Sequence, residues 1–228
     1  MGDEFIRIND PAAIFDELNL KFTQNLNKSL SSEYDLFCQT EKLVRSFAQS
    51  GEQIRQLHAK TAAQLEISHI FSEIFADSVC SIYLSSIGLD RPAEAILRRA
   101  FEQGVAAVYL WDLPHAYYGW KDLDKDLSFS EMLTHLDSTP FRAYLKSMCP
   151  ERTVENVLDV QSFQQIYRYL SNTIHGKFST LESTLPSRYS HSPQDWKRHL
   201  ELVIAVTTLL KSLWHARWSF NDIQPGHE

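Results

Sequence analysis

The sequence predicts an all-helical protein, and three observations support this class. The 228 residues include only 7 glycines and 8 prolines, whereas a sandwich or barrel of short strands needs turn residues at regular, short intervals. Apolar residues recur at helical spacing over long stretches, and no segment has a convincing strand pattern. With 43% hydrophobic residues, the chain can bury a core without disulfide or metal cross-links.

Three helices are predicted in the N-terminal part of the chain. Asp10-Pro11 is typical of a helix start, so the first helix should run from about residue 11 to the high twenties. A second helix is predicted to end at Gly51, and a third to continue from Ile54 to about Ser86. Alternatively, Gly51 only kinks one long helix.

The best-marked helix boundary lies at residues 88–92. Gly88 is suited to a helix end, Asp90 to the next N-cap and Pro92 to the first turn that follows. A fourth helix should then run to about Trp111. Residues 112–127 are polar and contain Pro and Gly, which predicts a loop with a short turn at most.

Capping residues mark the helices of the C-terminal part. Ser128 and Ser162 each begin a capping-box pattern, and Ser192-Pro193 is typical of a helix start. The helices predicted from these starts cover residues 129–136, residues 162–175 and residues 193–218. We therefore expect an antiparallel helical bundle at residues 51–228, preceded by an N-terminal helical extension at residues 1–50.

The net charge of −7 argues against a broad surface that neutralises many phosphates, as nonspecific nucleic-acid binders need. The charge is uneven, because residues 1–160 carry 15 Lys and Arg against 24 Asp and Glu, whereas residues 161–228 carry 7 against 5. Any anion contact is therefore expected in the C-terminal third of the chain.

The cysteines and the N-terminus indicate a cytoplasmic protein. Cys38, Cys80 and Cys149 lie far apart and form no CxxC pair, so neither a disulfide framework nor a thiolate metal site is predicted. The N-terminus lacks the long apolar stretch of a signal peptide. The most apolar window, residues 200–214, is too short and polar to cross a bilayer. The histidines form no metal-binding pattern, so we expect no metal and no cofactor.

The strongest candidate for a functional element is the segment from Arg168 to His175. In a helix, Arg168, Asn172 and His175 stand at i, i+4 and i+7 and project from one face, with Ser171 beside them. Arginine is a permanent cation suited to phosphate oxygens, histidine can move protons near neutral pH, and Asn or Ser can orient either one. Such a set could cleave a phosphodiester without a metal. A plainer interpretation stays open, in which Arg168 forms a surface ion pair and His175 interacts with the helix dipole.

Residues 167–176, with the sequence YRYLSNTIHG, resemble the signature of the HEPN superfamily, an Arg followed by four to six residues and a His near the end of a helix. Residues 97–111 also resemble a helix of uncharacterised bacterial HEPN-like families. The resemblance covers roughly residues 50–218. It implies an antiparallel helical bundle that forms a homodimer.

By this resemblance the chain is expected to be a metal-independent ribonuclease that leaves a cyclic phosphate at a site shared by two subunits. His175 would transfer protons and Arg168 would stabilise the phosphorane. Ser171 and Asn172 would orient them, and Glu102 would either hold Arg168 or form a structural ion pair. RNA is the implied substrate, and a toxin or anti-phage effector is the implied role.

The resemblance also allows a second function. Active members commonly place a small polar residue after the Arg, whereas this chain has Tyr169. The alternative is a non-catalytic dimerisation or scaffold subunit that binds a partner protein, such as an antitoxin or a defence enzyme. The two functions predict different surfaces. A nuclease needs Arg168 and His175 exposed in a basic cleft across the dimer axis, whereas a scaffold can bury them in ion pairs and expose an apolar patch elsewhere.

Overall fold

The computed structural model describes residues 11–148, 158–174 and 191–218. These residues form helices and no strand, which confirms the predicted all-helical class. The helices are α1 (Pro11–Ser32), α2 (Tyr34–His58), α3 (Ala62–Ile67), α4 (His69–Ser86), α5 (Asp90–Trp111), α6 (Pro114–Leu123), α7 (Phe129–Leu136), α8 (Thr139–Met148), α9 (Val160–Ile174) and α10 (Pro193–Trp218). Within these ranges no helix combines the length and the apolar character that a membrane span requires.

The N-terminal half departs from the predicted helix boundaries at Gly51. Helix α2 continues through Gly51 to His58, so the predicted end at Gly51 is wrong, and Ile54 belongs to α2 instead of beginning a third helix. The alternative is confirmed in that a helix passes through Gly51, but this helix ends at His58 and does not extend to Ser86. The rest of that predicted helix is divided into α3 and α4. A Cβ atom at Gly51 would lie 2.8 Å from Cβ of Phe71, so the glycine allows α2 to approach α4 closely. The predicted division between residues 50 and 51 falls inside this one helix.

Two helices lie where the sequence pattern indicated none. Helix α6 occupies most of residues 112–127, so the predicted loop is wrong. Pro114 suits the first turn of α6, and the ring of Tyr117 is buried, which fixes the helix to the core. Helix α8 follows Ser138, whose Oγ accepts a hydrogen bond from the backbone N–H of Phe141 at 3.3 Å.

The helix starts of the C-terminal part are mostly those expected. Ser128 and Ser192 cap α7 and α10, each accepting a hydrogen bond from a backbone N–H three residues further on, at 3.4 and 3.2 Å. Helix α9 is capped by Asp159 instead, which accepts bonds from the backbone N–H of Ser162 at 3.1 Å and from its hydroxyl at 2.6 Å. The predicted capping box at Ser162 is therefore wrong. The predicted end of this helix at His175 lies outside the described residues.

Helix α5 forms the centre of the core. It packs against α3, α4, α6, α7, α9 and α10. Its completely buried apolar residues are Ala93, Leu97, Ala100, Phe101, Val105, Ala107, Val108 and Leu110. Burying one Leu, Val or Phe side chain contributes roughly 1.5–3 kcal/mol, so this helix supplies a large part of the free energy that holds the bundle together.

Helix α4 runs antiparallel to α5. The hydroxyl of Ser81 on α4 donates to the backbone oxygen of Ala93 at 2.8 Å. One turn earlier on α4, Asp77 accepts a hydrogen bond from Nε of Arg99 at 2.6 Å. Because the residue numbers fall along α4 as they rise along α5, the two helices point in opposite directions.

Helix α10 runs parallel to α5 and approaches it closely at Gly104. Nε1 of Trp214 donates to the backbone oxygen of Gly104 at 3.1 Å, and a Cβ atom at this glycine would lie 2.5 Å from Cδ1 of Leu210. Near the ends of both helices, Nε of Arg217 lies 2.6 Å from Oδ2 of Asp112, and both side chains are almost fully buried. The glycine thus sets the distance between α5 and α10, and the ion pair fixes their register.

Helix α10 also carries a buried histidine, His199, which is 3% exposed. Since the hydroxyl hydrogen of Ser81 is donated to Ala93, its oxygen accepts a hydrogen from Nε2 of His199 at 2.9 Å. No described residue bonds to Nδ1 of the same ring. Burial lowers the pKa of His199 to about 4, and the positive charge of Arg198 adds to this effect.

We expect acid to destabilise the fold through His199. The folded pKa is about 4 and the ordinary value is 6.5, so as the pH falls the unfolded chain binds a proton before the folded chain does. The stabilisation that neutral His199 gives the folded chain is therefore complete above pH 6.5. It decreases toward pH 4, and the total loss is about 3 kcal/mol. In His199→Gln the pH dependence that is due to His199 is absent. We would measure the free energy of unfolding of both proteins with urea. The wild-type value minus the variant value should fall by about 3 kcal/mol between pH 6.5 and pH 4.

The variant His199→Gln also controls for the pH dependence of stability that comes from Asp and Glu side chains, because these carboxylates titrate in both proteins. If the difference in the free energy of unfolding between the two proteins stays constant from neutral pH to about pH 4.5, His199 does not contribute in this way.

Candidate functional site

A cavity of about 470 Å³ opens between α7 and α9. It is lined by Leu127, Ser128, Phe129, Ser130, Leu133, Gln164, Tyr167, Arg168, Ser171 and Asn172. Its volume lies in the range of roughly 300–1,000 Å³ that is typical of small-molecule sites. Three of the predicted site residues, Arg168, Ser171 and Asn172, are therefore brought together at one cavity.

These three side chains have no hydrogen-bond or ion-pair partner in the part of the chain that the structure describes. Arg168 is exposed and Asn172 is half-buried. The Oγ atom of Ser171 is shielded from solvent and still unpaired. A buried hydroxyl without a partner costs free energy, although Ser171 itself belongs to the wall of the cavity. The fourth member of the predicted set, His175, lies outside the described residues.

The amphipathic pattern of α9 turns the Arg168 side of the helix toward the cavity. Phe163 and Leu170 are buried, and the ring of Phe163 stacks on Phe101 of α5 with 5.2 Å between centroids. Arg168 and Asn172 are four residues apart and share the opposite side, since residues at this spacing lie one above the other on a helix. Packing of α9 on α5 thus leaves these polar side chains at the surface.

A buried carboxylate on α5 anchors another part of α9. Glu94 is 5% exposed and accepts hydrogen bonds from the hydroxyl of Tyr169 at 3.0 Å and from the hydroxyl of Thr173. Burial raises the pKa of Tyr169 to about 12, and the negative charge of Glu94 adds to this. Tyr169 therefore remains a hydrogen-bond donor. Its hydroxyl holds Glu94 and takes no part in the cavity beside Arg168.

Glu102 forms an ion pair with Arg98 on its own helix, with Nε and Oε1 2.9 Å apart, and it does not contact Arg168. Nη2 of Arg98 also donates to the hydroxyl of Tyr167 at 2.8 Å. The ring of Tyr167 stacks almost parallel on Phe129 with 4.1 Å between centroids. These contacts join α5, α9 and α7 and place Tyr167 and Phe129 in the wall of the cavity.

Gln164 and the wall supplied by α7 were not among the predicted site residues. Gln164 lies four residues before Arg168 on the same side of α9, so helical spacing alone could have included it. Ser130 and Leu133 come from a segment more than thirty residues away in the sequence. No local pattern joins α7 to α9, so their contribution becomes visible only in the folded chain.

Residues 11–148, 158–174 and 191–218 contain no group of three or more His, Cys, Asp and Glu side chains arranged to hold a metal ion. A scan of protein-family models found no match to the chain, and searches of curated proteins and of solved structures found none either.

We expect Ser171→Ala to stabilise the folded chain. The substitution removes a buried hydroxyl that has no partner, whose burial costs about 1 kcal/mol or more, and Ala has the higher helix propensity. Thermal or urea unfolding should show a gain of about 1 kcal/mol. Ser81→Ala is the matched control, because it removes a buried serine that makes two hydrogen bonds and should lower stability.

A loss of stability in Ser171→Ala comparable to that in Ser81→Ala would contradict this prediction. It would show that the Ser171 hydroxyl is paired in solution and contributes to the fold.

Proposed function

We propose that the cavity between α7 and α9 binds RNA and that Arg168 and His175 cleave it without a metal ion. The observation that carries this proposal is the position of Arg168, Ser171 and Asn172 at one cavity, unpaired within the described chain. An arginine that serves only a structural ion pair has a carboxylate beside it, as Arg98 and Arg99 do. Arg168 is instead exposed at the cavity, as a phosphate-binding group must be.

The proposed reaction is an intramolecular transfer at phosphorus. The 2′-oxygen of the ribose attacks the adjacent phosphorus, the bond from phosphorus to the 5′-oxygen breaks, and a cyclic phosphate and a free 5′-hydroxyl result. His175 would accept the proton of the 2′-hydroxyl or donate one to the departing 5′-oxygen. The charge of Arg168 would stabilise the additional negative charge on the phosphorane oxygens. Ser171 and Asn172 would orient the phosphate or the guanidinium.

Proton removal and proton donation require two groups in one catalytic cycle, or one group that alternates. A homodimer that brings two copies of Arg168 and His175 together meets this requirement, so we include dimer formation in the proposal. Such an enzyme would act on cellular RNA in the cytoplasm. Its activity would have to be controlled, as in a toxin with its antitoxin or in an anti-phage effector.

The direct test compares the wild type with Arg168→Ala and His175→Ala in the presence of a chelator, using total cellular RNA and growth after induced expression. We expect the wild type to cleave RNA and arrest growth, and each variant to lose activity by about 100-fold or more, the usual effect of removing a proton-transfer or charge-stabilising group. Arg55→Ala and His115→Ala are matched controls on exposed surfaces of α2 and α6 and should keep full activity.

The ribonuclease proposal fails if the folded wild type neither binds nor cleaves RNA, alone or with a partner from its own organism. It also fails if the control variants lose as much activity as the two site variants.

The second candidate, a non-catalytic subunit that docks a partner protein or a second copy, is favoured by a different surface. An apolar groove of about 380 Å³ lies between α1, α2 and α4. Phe75, Val79 and Tyr83 on α4 line it at i, i+4 and i+8 and are 37%, 47% and 54% exposed. Exposed apolar surface of this kind commonly marks a protein-binding site, and amphipathic helices bind such grooves.

If the groove mediates association, Val79→Glu should shift the protein toward the monomer in sedimentation-velocity experiments, because the carboxylate would be desolvated at the interface. Leu57→Glu is the matched control, since Leu57 is 61% exposed near the other end of α2, outside the groove. An unchanged distribution of species in Val79→Glu would exclude the groove as the contact between subunits.

A further inference from the structure

We propose that the N-terminal end of α1 binds in the groove between α1, α2 and α4 of a second copy of this chain, with Phe15 inserted among the apolar side chains of the groove. This inference rests on the second candidate function, in which the groove docks a partner, and it names the occupant. The groove shares no residue with the cavity between α7 and α9.

Helix α1 is fixed to the bundle through its C-terminal half. Nδ2 of Asn25 donates a hydrogen bond to the backbone oxygen of Ile87 at 2.9 Å, and the hydroxyl of Ser29 donates to the backbone oxygen of Ser86 at 2.8 Å. Asn25 is 3% exposed and Ser29 is completely buried. These bonds hold this half of α1 against the end of α4, where it forms one wall of the groove.

The N-terminal half of α1 extends past these contacts. Phe15, Leu26 and Ser29 stand at i, i+11 and i+14, which is close to three and four full turns, so they lie on one side of the helix. Ser29 is buried and Leu26 lines the groove, whereas Phe15 is 66% exposed. The side of α1 that packs on the bundle therefore continues to Phe15 as an exposed apolar surface.

Phe15 does not reach the groove of its own molecule. Leu26 and Leu30 line that groove, and Leu26 follows Phe15 by eleven residues, which is roughly 16 Å along a helix. A second molecule brings its own Phe15 to this position if the two α1 helices run antiparallel. Each Phe15 then lies beside Leu26 and Leu30 of the other copy, so two equal contacts form about a twofold axis.

The groove is suited to large apolar side chains. Phe75, Val79 and Tyr83 follow one another along α4 at intervals of four residues and are exposed in the groove. An α-helix is about 10–12 Å wide with its side chains, so a groove of about 380 Å³ receives side chains while the helix that carries them lies across its opening. Insertion of Phe15 would remove apolar surface from water on both copies, which favours association.

The charges beside the two surfaces are of opposite sign. Asp16 and Glu17 are exposed at the N-terminal end of α1. Lys42 and Arg45 are exposed on α2, and Arg45 lines the groove, where it forms an ion pair with Glu41 of its own helix. Complementary charges orient an approaching partner more than they add affinity. The acidic end of α1 is thus directed toward the α2 wall of the groove, which favours a second copy as the occupant.

The test is sedimentation velocity of the full chain over a range of concentrations. We expect the wild type to associate and Phe15→Glu to halve the mass of the associated species, because the carboxylate would be desolvated in the groove. Val79→Glu should have the same effect from the other side of the contact. Leu20→Glu is the matched control, since Leu20 is 62% exposed on α1 but lies five residues from Phe15, on a different side of the helix. It should associate as the wild type does.

A mixture of the two variants tests whether Phe15 enters the groove. A mixed pair has one intact contact, between Phe15 of the Val79→Glu copy and the groove of the Phe15→Glu copy. At the same total concentration, the mixture should therefore contain more associated protein than either variant alone. This gain also shows that both variants are folded.

Three results would each overturn this inference. They are a wild type that stays monomeric at every concentration, unchanged association in Phe15→Glu, and a mixture that associates no better than its components. If Val79→Glu dissociates the protein and Phe15→Glu does not, the groove remains a docking site and α1 is excluded as its occupant. Cleavage of RNA by Phe15→Glu, which keeps Arg168 and His175, tests the ribonuclease proposal separately.

Discussion

Helix α5 is surrounded by other helices, and this burial determines where its charged side chains must find partners. A buried charge without a partner costs several kcal/mol, so each buried charge beside this helix fixes the position of its partner. Glu94 of α5 binds two hydroxyls of α9, the buried Asp77 of α4 pairs with Arg99 of α5, and Asp112, directly after α5, pairs with Arg217 of α10. These contacts set the rotation and register of three helices about the central one.

The side of α9 that faces the cavity carries polar side chains without protein partners. Tyr169 and Thr173 are satisfied by a buried carboxylate, whereas Arg168, Ser171 and Asn172 have no partner within residues 11–148, 158–174 and 191–218. Buried polar groups in folded proteins are nearly always paired, and of these three side chains only the Oγ atom of Ser171 is buried. Arg168 is exposed and Asn172 is half-buried, so these two side chains are accessible to a ligand in the cavity. The same helix is thus fixed on one side by Glu94 and left open on the other.

The sequence predicts the local features of this structure and fails where distant segments meet. Ser128 and Ser192 mark true helix starts because a cap is formed by residues three positions apart. The predicted helix end at Gly51 is wrong because this glycine leaves space for Phe71 of α4, and no local pattern in the sequence shows that contact. In the site, helical spacing places Arg168 with its neighbours on α9. The cavity itself depends on α7 packing beside α9, which the sequence does not show.

The two unpartnered surfaces of the molecule differ in chemistry and in position. The cavity lies between α7 and α9 and is lined by amides, hydroxyls and one arginine, whereas the groove between α1, α2 and α4 is mainly apolar. They share no residue, and α4 and α9 pack through different residues of α5. A ligand confined to the groove would touch none of the residues that line the cavity. The groove helices reach α9 through the core, since α4 packs on α5, α2 packs on α10, and both α5 and α10 pack on α9.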